Sequence, residues 1–185
     1  MIDDVLSECR HKMQASVQAL KEDLSQIRTG RASPGLVEKL DVEYYGQPTP
    51  LIQLASISVP EPRQLLIRPF DANSVGDIEK AILTSDLGLT PNNDGKVIRL
   101  NLPMLTEERR KDLVKQVGNR AEEARIAVRN IRQTANKDLR ELENEKMISE
   151  DDLERGEKEV QQLTEDTNDE IEKIAEGKEK EVMEV

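Results

Sequence analysis

The sequence predicts an α+β protein: a long three-helix bundle carrying a small inserted β/α/β domain on a two-stranded hinge. Three observations carry this expectation. Three segments each show one apolar stripe at steps of three and four residues. Residues 30–105, between the first and second of these, switch to the period of two that marks strands. Glycine and proline punctuate both crossings between the two patterns.

The first stripe is Leu6, Cys9, Met13, Val17, Leu20, Leu24 and Ile27, and Gly30 stands where that helix is expected to end. In the inserted piece Leu40, Val42 and Tyr44 alternate, and "GQPTP" reads as a turn. Ile57 and Val59 alternate next, "PEPR" interrupts, and "QLLIRPF" is a short apolar run. "NSVGDIEKAILTSDLG" reads as a helix with Ser74 as cap, Val75, Ile78 and Ile82 as its face, and Gly88 as its stop. "NNDGKVIRLNL" opens with a turn and continues as a strand through Ile98, Leu100 and Leu102.

The second stripe follows Thr106, a candidate cap: Leu113, Val117, Ala121, Ala124, Val128, Ile131, Ala135, Leu139 and Leu142. The third is Leu153, Gly156, Val160, Leu163, Thr167, Ile171 and Ile174, introduced by Ser149 with Asp152 three residues on, a capping-box spacing. Three helices with one apolar side each can hide those sides only against one another. The expected bundle comprises residues 1–29 and 106–185, a rod of about 60 Å at 1.5 Å per residue. The expected insert is 30–105. The joint falls at Gly30 and Arg31 on one crossing and at Pro103, Met104 and Leu105 on the other. Two short linkers of this kind permit bending about an axis but restrict tumbling.

Composition narrows the function. The chain is 36% hydrophobic and 35% charged, with no apolar run of membrane-spanning length. It opens "MIDDVLSECR", acidic where a signal peptide is basic, and has one cysteine, so a reducing cytoplasm is the expected compartment. The net charge of −11 is uneven: Met147–Val185 holds 5 basic and 15 acidic residues, Thr106–Lys146 holds 11 and 9. A positive surface can therefore survive on the second helix.

Catalytic chemistry is not expected. His11 is the only histidine, which excludes a triad or a histidine-rich metal site. Cys9 and His11, two apart on a helix, point about 200° from each other and cannot clasp one metal. "DANSVGDIEKAI" lacks the oxygens of a calcium loop, and no GxxxxGK[ST] cradle exists. The expectation is a protein that is not an enzyme, with no catalytic residue, metal or cofactor.

One constellation stands out in "RIAVRNIRQTANKDLR". Arg125, Arg129 and Arg132 fall within about 60° of each other on a helix. Lys111, Lys115 and Arg140 lie on or near the same side, and Arg110 sits at the edge of the apolar stripe. No Asp or Glu interrupts Arg125–Lys137. Such a row can be an ordinary solvated face with its stems packed on the bundle. Arginine is also the residue suited to bidentate phosphate contact. With aromatics at 2% (Tyr44, Tyr45 and Phe70) there is no stacking platform for single strands, so the expected ligand is folded RNA.

"IRTGRASPGLVE", "NDGKVIRLNLPMLTEERRKDLVKQV", "EEARIAVRNIRQTANKDL" and "ISEDDLE" together resemble the ribosome recycling factor family, in order and over essentially the whole chain. The resemblance implies a roughly L-shaped, two-domain protein that binds the post-termination ribosome with tRNA and mRNA still present. It implies that elongation factor G, hydrolysing GTP, acts with it to split the ribosome into subunits. The bundle would lie against large-subunit RNA, and the insert would be the mobile part facing elongation factor G. Arg132 matches the family's key RNA-contacting arginine, and Arg129 and Arg110 its supporting ones. Gln133–Thr134 departs from the Arg-Asp that many members carry. The expected state is a monomer without a membrane partner. The alternative reading is a helical-bundle adaptor or chaperone-like module that binds proteins through its acidic helix.

Overall fold

The computed structural model describes residues 1–184; the last residue of the expected bundle range, Val185, lies outside it. The described chain forms two compact units, Met1–Arg28 with Glu107–Glu184, and Thr29–Thr106.

The first unit consists of α1 (Ile2–Ser25), α4 (Glu107–Asn144) and α5 (Glu150–Met183), all mutually in contact. Its core is the union of the three stripes: Leu6, Met13, Val17, Val117, Val128, Leu139, Val160 and Ile171 are each at most 5% exposed. α1 ends at Ser25, earlier than Gly30 suggests, yet Ile27 still packs on the core beyond the helix end. Two buried hydroxyls interrupt the apolar face of α5. Thr164 Oγ1 donates to Val160 O (2.8 Å) and Thr167 Oγ1 to Leu163 O (2.7 Å), so neither is left unsatisfied. Gly156 is buried because Leu139 fills the space a side chain would need: a β-carbon there would stand 3.1 Å from Leu139 Cδ1. Ser149 and Asp152 form a complete capping box, each side chain accepting from the other residue's backbone N–H. No helix among the described residues is long and apolar enough to cross a membrane.

The second unit has its own core, with Val37, Val42, Leu51, Leu65, Ile67, Ile78, Ile98 and Leu100 fully buried. A hairpin of β1 (Asp41–Tyr44) and β2 (Gln47–Pro50) leads through a single turn of helix, α2 (Leu51–Leu54), into β3 (Ala55–Glu61) and β4 (Gln64–Pro69). Then come α3 (Val75–Thr84), β5 (Pro91–Asn93) and β6 (Ile98–Asn101), giving an antiparallel sheet of order β3-β4-β6-β5.

Several local expectations change here. "QPTP" is a strand rather than a turn, and the turn is Tyr45–Gly46, both at positive φ (48° and 77°). In a two-residue hairpin the flanking pair, Tyr44 with Gln47, exchanges hydrogen bonds. Pro48 and Pro50 then fall opposite Glu43 and Asp41 at positions that ask no N–H of them, which is how two prolines fit a strand. Asn92 and Asn93, expected to open a turn, instead belong with Pro91 to the short outer strand β5. Ser74 precedes α3 without a side-chain cap bond; Asp71, three residues earlier, accepts from Asn73 N–H and caps the turn leading in. α3 stops at Thr84, before Gly88.

Candidate nucleic-acid interface

α4 is a 38-residue helix, about 57 Å long, whose buried residues recur at Leu113, Val117, Ala121, Ala124, Val128, Ala135 and Leu139. That stripe fixes where every arginine of the row must lie, because a helix turns 100° per residue. Arg125, Arg132 and Arg140 are drawn to the seam with α5, the most acidic stretch of the chain.

Each of these three arginines makes one side-chain contact across the seam. Arg125 Nη2 donates to Glu172 Oε2 at 2.6 Å, while its Nη1 reaches Glu122 Oε2 at 3.2 Å on its own helix. Arg140 Nε donates to Glu157 Oε1 at 2.8 Å. Arg132 Nη1 meets a neutral acceptor, Gln161 Oε1, at 3.4 Å. As α4 is followed from 125 to 140, the partners run back along α5 from 172 to 157, as antiparallel neighbours must. Partial burial works against the charge on Arg125, but its bonds to Glu172 and Glu122 outweigh that, and its pKa sits above the ordinary arginine value.

Arg129 is exposed and makes no hydrogen bond or ion pair among the described residues. Next to it, Arg132, Gln133, Asn136, Lys137 and Arg140 line a shallow depression on α4. Lys137 is held loosely by Glu141 at 3.7 Å, with both side chains mostly exposed. The row foreseen from the sequence therefore divides. Arg129 and Arg132 are free of carboxylates, whereas Arg125 and Arg140 are each engaged by at least one. Arg110 lies far from them, near the start of α4. Its Nη1 donates to Met183 O (3.3 Å) at the end of α5, and its buried Nε has no partner.

The five linker residues all belong to the second unit. Gly30 adopts φ 77°, a conformation costly for any residue with a β-carbon. Directly after Gly30 and Arg31, Ala32 N–H donates to Pro62 O (2.8 Å). Directly before Pro103, Leu102 N–H donates to Arg63 O (2.8 Å). Both crossings are thus tied to adjacent residues of the β3–β4 turn. Met104 is 62% exposed and Leu105 half-buried.

The sequence stripe could not reveal the partners of the arginines. The only available signal was charge complementarity between two antiparallel helices, Glu157 and Glu172 against Arg140 and Arg125, and that becomes readable once their register is known.

Comparison with known proteins agrees with this architecture. The family model described as ribosome recycling factor matches residues 20–183. A ribosome-recycling factor of Syntrophomonas wolfei is 54% identical over 185 residues, and one of Geobacillus sp. is 55% identical over 185, each covering 100% of both chains. A solution structure of a ribosome recycling factor superposes with a TM-score of 0.76 at 46% identity, covering 100% of this chain and 98% of that one. Another match covers 99% of both chains at 45% identity with a TM-score of 0.65. It comes from models for the T. thermophilus ribosome recycling factor and the E. coli elongation factor G bound to the E. coli post-termination complex.

Proposed function

The chain belongs to the ribosome recycling factor family, and on that premise we propose that it binds the post-termination ribosome through the arginines of α4. With elongation factor G it splits that ribosome into subunits, releasing mRNA and tRNA in the cytoplasm. The observation that carries the RNA contact is the pair Arg129 and Arg132. They are cations on the rigid middle of a long helix, and no carboxylate closes on either.

A guanidinium can hold two phosphate oxygens at once, and a helix fixes the spacing between successive guanidinium groups. Large-subunit RNA, rich in ordered phosphates, is the ligand this arrangement suits. Arg132 is the principal contact, and Arg129 supports it. Arg125 and Arg110 lie at the margins, because each already serves a contact within the bundle. The protein acts as a monomer and contributes no catalytic group or cofactor. Hydrolysis of GTP by elongation factor G supplies the free energy. The bundle is a stiff strut that occupies the site, and the inserted unit is the part on which elongation factor G bears. Gly30, Arg31, Pro103, Met104 and Leu105 form the hinge.

The test is co-sedimentation of the full-length protein with isolated large subunits at low salt. Arg132→Ala should weaken binding by roughly 1.5–3 kcal/mol, the worth of a charge-assisted bond, with helicity unchanged. Wild-type binding and recycling by this variant would refute the reading.

A further inference from the structure

Gln161 is the exception on the face of α5 that meets the arginines of α4. Above and below it in the antiparallel register stand Glu172 and Glu157, each closing an ion pair. Of the three arginines Arg125, Arg132 and Arg140, Arg132 alone meets a neutral side chain. The amide is also oriented. Gln161 Nε2 donates to Glu165 Oε1 at 3.1 Å, one turn along α5, which turns the carbonyl oxygen toward Arg132. Arg132 is thereby steered by a dipole while its full charge stays available. A carboxylate in the same place would occupy the guanidinium as Glu172 occupies Arg125.

We infer that Gln161 is a positioning residue that presents Arg132 without neutralising it, and that Glu157 and Glu172 restrict the RNA-binding charge to the Arg129–Arg132 window. This rests on the reading that Arg132 contacts large-subunit RNA. In physical terms the acidic helix competes with phosphate for the arginine row, and the competition is relaxed at one position. A narrow window limits both affinity and the number of counterions released on binding, which suits a factor that has to leave again.

Four full-length variants test this with isolated large subunits across a salt series, each checked for unchanged helicity. Gln161→Glu, nearly isosteric, should weaken binding about tenfold, the order expected when one charge-assisted bond is lost. In an Arg132→Ala background the same change should add almost nothing, because its effect runs through Arg132. The double change of Glu122→Gln with Glu172→Gln should release Arg125 from both of its carboxylates, strengthen binding a few-fold and steepen the log–log salt dependence by about one unit. A Gln161→Glu variant that binds like wild type, or one whose loss persists without Arg132, overturns the inference, as does an unchanged salt slope for the protein carrying both Glu122→Gln and Glu172→Gln. If Arg132→Ala alone binds normally, the RNA-contact reading itself falls, which is a distinct result.

Discussion

Arg125 and Glu172 join the two longest helices across 47 positions of sequence, with 2.6 Å between nitrogen and oxygen. This contact binds a residue that the linear pattern placed among the RNA-contacting cations. Arg125→Ala should therefore lower large-subunit affinity less than Arg129→Ala or Arg132→Ala. It should lower the stability of the bundle slightly, by about 0.5 kcal/mol, in the range of partly exposed ion pairs. Parallel binding and thermal-melt measurements on the three variants decide it. Equal losses of affinity would mean that Arg125 leaves Glu172 to reach RNA.

Salt should weaken ribosome binding steeply despite a net charge of −11. Release of counterions from a few phosphates predicts a log–log slope of a few units. A flat response between low and moderate salt would favour protein–protein contacts as the main source of affinity.

The helical glycines should respond with opposite signs. A β-carbon on Gly118 or Gly177 meets nothing within 4 Å, so Ala at either position should stabilise by about 0.5–1 kcal/mol. Gly156→Val would force branches into Leu139, which is fully buried, and should destabilise by about 1–3 kcal/mol. Denaturant midpoints measure all three.

The cap of α5 makes stability depend on acid. Bonds from the side chain and backbone N–H of Ser149 hold Asp152 below the ordinary carboxylate value. Its pKa is thus lower folded than unfolded, so its contribution is present above the unfolded value of about 3.9 and lost as pH falls through the folded one. Asp152→Ala should melt earlier than wild type at pH 7, and the gap should close as pH is lowered below about 4. A gap that stays constant into acid would remove the carboxylate from the explanation.

Deleting the inserted unit should separate binding from recycling. Residues 1–28 joined to 107–184 by a short Gly/Ser loop retain the bundle core and both arginines of the window. That protein should fold as helices and keep much of its large-subunit affinity, yet fail to split ribosomes with elongation factor G. Full recycling by the bundle alone would deprive the insert of any mechanical role.

The helices were legible because each stripe repeats over many turns, so an error at one residue is averaged out by the rest. The capping box was legible because Ser149 and Asp152 interact within one turn. β2 was not, because Pro48 and Pro50 look like turn residues until their register against Glu43 and Asp41 is known. β5 was too short to show any period. Of the arginine row, the sequence showed the shared face. Which arginines stay free depends on residues of α5 that lie 17 to 47 positions away, and local spacing carries no information about that.

The discontinuity of the bundle also orders events during synthesis. α1 is made first, with Leu6, Met13, Val17 and Leu20 exposed, but both helices that cover it begin at or after Glu107. The unit from Thr29 to Thr106 closes its core with residues of its own and needs nothing made later. On a growing chain this inner unit is complete while its predecessor still waits. The bare stripe of α1 is then the segment most open to chaperones and to misassociation, and its exposure ends only when α5 is finished. Slowing translation after residue 106 should lengthen that exposure without disturbing the inner unit.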